Sequence, residues 1–371
     1  MRRAALPVLA AALSVAWAQQ PQPILSPEVH PDRTVTFRFR APNAQEVFLA
    51  REGAPRLAMQ KDGQGVWSVT TAPLEPDLYG YTFAADGVSL IDPSNPRMKP
   101  NLLNTSSAVH VPGPASLPWE LNAVPRGAVH RHYYKSTIVG DERDFYVYTP
   151  PGYDPSAKKL YPVLYLLHGY SDDARAWTEV GRAHVVLDNL IAQGKAKPML
   201  VVMPLGYGAL EYVARGGTRD PGLRQRSFDR FRDALFTEML PEVEKTYRVA
   251  KDRSARAIAG LSMGGAQSLY FGLNAPDRFA WIGAFSSGGI PTDLAAAFPA
   301  LDSKVSARLR LLWIACGVDD RLIDSNRKFR DFLNSKEVRH VWTETPGAHT
   351  WMVWRRYLAE LAPLLFQDKA S

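Results

Sequence analysis

Residues 258–268, IAGLSMGGAQS, set one serine between glycines directly after a short apolar run. The five positions of a GxSxG pattern fall on Gly260, Leu261, Ser262, Met263 and Gly264. ARAIAG, leading into them, has the make-up of a buried strand, and MGGAQSLYFGLNAP, leading out, that of a helix. A serine on such a strand-to-helix turn is lifted above the edge of a sheet, and the crowding of the turn is what calls for glycine. A purely structural turn is the competing reading, and the rest of the chain has to decide between them.

The surrounding grammar is that of an α/β protein. From Ala128 onward, apolar runs bounded by turns occur at YPVLYLLHG, PMLVVMP, ARAIAG and RLRLLWIACG, as expected for parallel strands buried on both faces. Helical stretches lie between them at 177–193, 228–247, 263–274, 326–335 and 352–365. This alternation implies an open sheet with right-handed crossovers and a ligand site at the carboxyl ends of the strands.

Ahead of it the pattern differs. TVTFRFRAP alternates Val35, Phe37 and Phe39 with polar neighbours, and EVFLA, GVWSVTTAP and LYGYTFAADGVSL continue as short strands, the last folding back around Asp86 and Gly87. We read residues 26–111 as a small β-sandwich, the proline-rich residues 112–127 as a linker, and residues 128–368 as the α/β domain. Two domains suit a length of 371 residues. Residues 1–18 pair two arginines with a short apolar run and close on Ala16, Trp17 and Ala18. That is the form of an export leader cleaved near Gln19, and it points to a secreted or periplasmic protein with no membrane attachment after cleavage.

Composition excludes several classes. The one cysteine, Cys316, permits no internal disulfide and sits in an apolar run, where a thiol acts as a small hydrophobe. The formal charge of +7, about +5 once Arg2 and Arg3 leave with the leader, is spread along the chain and offers no nucleic-acid face. No HExxH, GxxxxGK[ST] or GxGxxG occurs, so neither a metal nor another cofactor is expected.

A serine hydroxyl needs a histidine to take its proton and a carboxylate to hold that histidine's tautomer. In a sheet of this kind they follow the serine in the order acid, then histidine. LRLLWIACGVDD carries one strand into Asp319 and Asp320, and RHVWTETPGAHTW carries another into His349. We take His349 as the base, in preference to His184 and His340, and Asp320 as the acid, ahead of Asp319 and then Asp324. The oxyanion amides are expected from Met263 and, through the LLHGYSDDARAW loop, from Tyr170, with His168 orienting that loop and Asp172 and Asp173 capping the next helix. The long connection at 206–227 lies at the ligand edge, so Tyr207, Tyr212, Arg215 and Arg219 are substrate-binding candidates, as is Trp351 beyond the base.

VYTPPGYD, YPVLYLLHGYSDDARAW, AGLSMGGAQSL, WIACGVDDRL and GAHTWMVWRRYL occur in order over residues 128–366. Together they resemble the esterase D-like family, most closely the feruloyl esterases of carbohydrate esterase family 1. The resemblance implies a serine carboxylic ester hydrolase of the α/β-hydrolase fold, with Ser262 as nucleophile, Asp320 as acid and His349 as base. The front segment resembles the family 48 carbohydrate-binding sandwich, which raises the prospect of Trp67, Tyr79 and Tyr81 stacking on sugars. Filling the sandwich core is the plainer role for those three rings. The expected partner is a polysaccharide or oligosaccharide ester bearing hydroxycinnamoyl groups. Alternatives are an acetyl-xylan or siderophore esterase with the same triad, or a non-catalytic carbohydrate-binding protein on an esterase fold.

Overall fold

The computed structural model describes residues 23–214 and 220–367, so the expected leader and both Arg215 and Arg219 lie outside the described residues. In the front domain, alternation sends every second side chain inward. Strand Val35–Arg40 pairs antiparallel with Val66–Thr70, and Glu28–Val29 and Gln60–Lys61 extend that sheet at its two sides. The facing sheet is built on Asp77–Ala85, flanked by Val47–Arg51 and Ser106–Val111, with Met98–Lys99 beyond the latter. Asp86 and Gly87, both at positive φ (47° and 82°), make the tight turn into Val88–Leu90.

Phe37, Phe39, Trp67, Tyr79, Tyr81 and Phe83 fill the core between the sheets. Trp67, Tyr79 and Tyr81 are only 7%, 6% and 1% exposed. Their polar tips are satisfied internally, on Ala41 O, Glu75 O and Asp92 Oδ2 respectively. These rings hold the sandwich together and present no stacking face.

Residues 112–127 do not swing free. Trp119 and Glu120 are buried, and Asn189 Nδ2 donates to Pro118 O at 2.7 Å and Glu120 O at 2.8 Å.

The second domain is an eight-stranded sheet of β1 (Ala128–Lys135), β2 (Glu142–Thr149), β3 (Val163–Leu167), β4 (Leu200–Pro204), β5 (Arg256–Leu261), β6 (Trp281–Phe285), β7 (Leu311–Gly317) and β8 (Val341–Thr345). The spatial order is β1-β2-β4-β3-β5-β6-β7-β8, with β2 antiparallel to both neighbours and the remaining pairs parallel. Alternate residues enter opposite cores: Val163, Tyr165 and Leu167 one, Leu164 and Leu166 the other. Helices α1 (Ala183–Ala192), α2 (Pro221–Ala234), α3 (Met263–Asn274), α4 (Ile323–Ser335) and α5 (Trp351–Leu361) cover the two faces.

Three features depart from the sequence reading. Strand β6 was not anticipated, although it is fully buried between β5 and β7. The helix expected at 177–193 is broken, Arg182 standing at φ 53° between Ala176–Glu179 and α1. The stretch read as irregular at 206–227 instead contains the turn of helix Glu211–Ala214 and the start of α2, where the Asp220 carboxylate accepts the Gly222 and Leu223 amides.

The sandwich docks on α5. Arg355 and Asp77, both completely buried, form an ion pair across the interface, and Arg356 reaches the second Asp77 oxygen at 3.2 Å. Met352 packs onto the sandwich core. A buried pair of this kind is costly to break, because one charge is then left without a partner.

Candidate active site

Strand β5 delivers Ser262 to the carboxyl end of the sheet, and α3 begins at the next residue. Its backbone, at φ 50° and ψ −115°, is one that side-chain-bearing residues seldom adopt. Neighbours hold it there: the Ser262 amide donates to Phe285 O at 2.8 Å, and its carbonyl accepts from Ala266 N and Gly288 N. A Cβ at Gly264 would stand 2.5 Å from His168 O and 2.6 Å from Leu167 O, which explains a glycine two residues after the serine.

His349 Nε2 lies 3.0 Å from Ser262 Oγ, and His349 Nδ1 lies 2.8 Å from Asp320 Oδ2. Burial opposes the charge of Asp320, but the His349 hydrogen bond and the Leu322 amide together hold its carboxyl below the usual range. An ionised Asp320 accepts the Nδ1 proton and leaves Nε2 free to accept from the serine hydroxyl. Asp319 is exposed and accepts the Gly347 amide at 3.2 Å, so it braces the loop before His349 instead of touching the ring.

The loop after β3 closes the other side. Gly169 abuts the serine so tightly that a Cβ there would stand 2.6 Å from Leu261 Cδ1 and 3.5 Å from Ser262 Cβ. Its carbonyl is turned inward by His168 Nδ1 at 2.8 Å and the Tyr207 hydroxyl at 3.1 Å. The peptide plane then directs the Tyr170 amide the opposite way, into the cleft. Among the described residues no bond joins the Tyr170 or Met263 amide to a protein acceptor. His168 Nε2 accepts the Gly206 amide at 2.9 Å, and burial pushes this imidazole down to about 4, so it stays neutral and structural.

These observations revise two expected substrate contacts. Tyr207 is completely buried and Tyr212 nearly so; Tyr207 orients the Gly169 peptide, and Tyr212 packs edge-on to Tyr170 at 5.4 Å. Trp351 does border the cleft, edge-on to Trp177 at 5.1 Å. Cys316 is buried in β7, where desolvation pushes its thiol up to about 12. Among the described residues no cluster of side chains suited to hold a metal ion is present.

The cleft over Ser262 has a volume of about 340 Å³, and the sandwich supplies part of its wall through Glu52, Lys99, Asn101 and Asn104, opposite Arg321. The four sandwich residues did not stand out in the sequence, because they lie on strand ends and turns with no motif of their own, and Arg321 stood within WIACGVDDRL without a role of its own.

Asp172, expected as a helix cap, faces this cleft and accepts Asn101 Nδ2 at 3.0 Å, while Asp173 accepts the Arg175 amide. Burial pushes the Asp172 carboxyl up to about 7, with Asp173 and Glu52 adding repulsion and Lys99 opposing it. A carboxyl that holds its proton more tightly when folded stabilises the fold in acid and loses that contribution as pH rises through 7. Asp172→Asn is therefore expected to gain stability over wild type, with the gain larger by on the order of 2 kcal/mol at pH 8 than at pH 5. Urea midpoints at the two pH values measure this, and an equal difference at both would contradict it.

An eight-stranded α/β sheet with a serine on the strand-to-helix turn, and a histidine and an aspartate converging on it, defines an α/β-hydrolase. The chain belongs to the Esterase family, its residues 136–365 matching the family model described as "Putative esterase". It is 28% identical over 350 residues to an endo-1,4-beta-xylanase/feruloyl esterase of Xylanibacter ruminicola. That match spans 92% of this chain and 46% of the relative, so the chain corresponds to about half the relative's length. The solved CE1 ferulic acid esterase of Anaeromyces mucronatus is 25% identical, with a TM-score of 0.59 over 68% of this chain and 96% of its own. The enterochelin esterase of Shigella flexneri, 20% identical, shares the fold over 90% of this chain and 92% of its own at a TM-score of 0.67.

Proposed function

We propose that the protein is an exported serine esterase that releases hydroxycinnamoyl groups of the feruloyl type from plant cell-wall polysaccharide through an acyl-enzyme. The observation that carries the reading is the pair of contacts from His349, 3.0 Å to Ser262 Oγ and 2.8 Å to Asp320, at the floor of the cleft. Ser262 Oγ attacks the ester carbonyl carbon as its proton passes to His349 Nε2, and Asp320 stabilises the imidazolium. The Tyr170 and Met263 amides stabilise the oxyanion. As the carbon–oxygen bond of the ester breaks, His349 returns the proton to the departing alcohol oxygen. Water then attacks the acyl carbon as its proton passes to His349, and His349 gives that proton to Ser262 Oγ as the bond between serine and acyl group breaks and the acid leaves.

The acyl assignment is supported by the likeness to proteins named as feruloyl esterases. Export is supported by the leader-like residues 1–18. No helix among the described residues is long and apolar enough to cross a membrane.

Rates on methyl ferulate, acetylated xylan and a siderophore trilactone, taken side by side, test the reading. Methyl ferulate is expected to exceed the other two in kcat/KM by about tenfold or more, on the order of 1.4 kcal/mol in transition-state binding. A higher value for acetylated xylan or the trilactone would move the assignment to that ester and keep the triad.

A further inference from the structure

Both loops that build the reacting centre are gripped by the sandwich. On the side of the base, the Glu52 carboxylate is half-buried between the domains, at the wall of the cleft. Its Oε1 accepts the Trp351 amide at 3.0 Å, and its Oε2 accepts Lys99 Nζ at 2.7 Å and the Gly80 amide at 3.2 Å. Trp351 is the first residue of α5, two positions after His349. A helix start leaves amides without partners, and the residue before it ordinarily supplies an oxygen. Thr350 stands in that position and makes no side-chain capping bond, so the cap comes from a strand end 299 residues away. A carboxylate there also meets the positive end of the helix dipole. Met352, Arg355 and Arg356 fasten the same helix to the sandwich further along.

The oxyanion side shows the same arrangement with other residues. Asn101 Nδ2 donates to Ser171 Oγ and to Asp172 Oδ1, each at 3.0 Å, and the Leu102 amide donates to Ser171 O at 2.7 Å. Ser171 directly follows Tyr170 and stands at φ 67°, a conformation that persists in a serine only when its surroundings impose it.

We propose that the sandwich is a working part of the ester-cleaving centre, with Glu52 as a positioning residue for His349 and Asn101 as a positioning residue for the Tyr170 amide. The inference rests on the reading of His349 as base and Tyr170 as oxyanion donor, and it concerns the alignment of the reaction, whichever acyl group is cleaved. A displacement of about 1 Å in reacting groups costs on the order of 100-fold in rate, so a cap that fixes the end of α5 acts on kcat.

The test compares Glu52→Ala, Glu52→Asp and Glu52→Gln in the full chain. It measures kcat and KM on an ester the wild type turns over, the rate at which a fluorophosphonate labels Ser262, and the thermal midpoint. Glu52→Gln keeps an oxygen for the Trp351 amide and is expected to stay within about threefold of wild type. Glu52→Ala removes that oxygen, and Glu52→Asp withdraws it by one methylene while keeping the charge beside Lys99. Both are expected to lose about 10- to 100-fold in kcat and in labelling rate, with KM changed less than about threefold. Should Glu52→Ala fail to fold, Glu52→Asp decides the matter.

Wild-type kcat in a folded Glu52→Asp would overturn the inference, because the bond would then be dispensable. A glutamine variant as impaired as the alanine variant would overturn it too, since charge and not the bond would matter. Asn101→Ala is expected to show the same loss in kcat with KM held, and an unchanged kcat would remove the oxyanion half. A wild-type protein that no fluorophosphonate labels would overturn the reading of the triad itself. One that labels but leaves feruloyl esters intact would overturn only the acyl assignment.

Discussion

Replacing Ser262 by alanine is expected to lower kcat by about 10⁵-fold or more on every ester the wild-type protein cleaves, while the folded state survives. The size follows from the loss of the atom placed to attack: Ser262 Oγ sits 3.0 Å from His349 Nε2, and without it the cleft is left with oriented amides and a histidine-activated water. Survival of the fold follows from what holds the turn. The bonds to Phe285, Ala266 and Gly288 run through the Ser262 backbone and remain in the alanine variant. Turnover of methyl ferulate and fluorophosphonate labelling measure the effect together. A variant that kept even one-tenth of wild-type turnover would show that the reaction does not pass through Ser262.

Exchanging Asp320 for asparagine is expected to cost about 10⁴-fold in kcat, whereas Asp319→Asn should cost less than about tenfold. The two neighbours separate because only Asp320 reaches the imidazole, at 2.8 Å, with its side chain fully buried. An asparagine amide can donate where the aspartate only accepts, which favours the tautomer carrying its proton on Nε2 and removes the acceptor for the serine hydroxyl. It also leaves the imidazolium without a counter-charge. Asp319 holds only the Gly347 amide, which an asparagine carbonyl can still accept. Comparable losses in both variants would mean that the acid works through the loop and not through the ring.

The contrast between these aspartates also marks how far the sequence could be read. Ser262 and Asp320 follow apolar runs at turns, and His349 follows a strand through a glycine-containing loop, so the alternation of strands and helices places all three at one edge of the sheet. Strand β6 escaped because WIGAF is short and mixes glycine and alanine with larger residues, a composition that does not separate a strand from the end of a helix. Its omission hid part of the support of the serine, since Phe285 of β6 and Gly288 just beyond it hold the Ser262 backbone.

Tyr207 and Tyr212 depart from expectation for a related reason. A tyrosine in a glycine-rich connection reads as exposed, yet here the segment folds into a short helix and turns the Tyr207 hydroxyl onto the Gly169 carbonyl. The grip of the sandwich on the centre left no trace in the sequence at all. Glu52 bonds to a backbone amide and Asn101 to a neighbouring loop, and neither kind of contact imposes a periodicity or a motif on the chain.

The bond between Glu52 and Trp351 joins positions 299 residues apart. Contacts of such separation close late in folding, because the entropy of bringing distant segments together has to be met first. During synthesis the serine emerges well before the histidine, and the helix that follows the histidine meets its cap only when the front domain docks on it. A chain whose front domain has not yet docked is therefore expected to cleave esters slowly, and hydrolysis should reach its full rate only when Glu52 meets the start of α5.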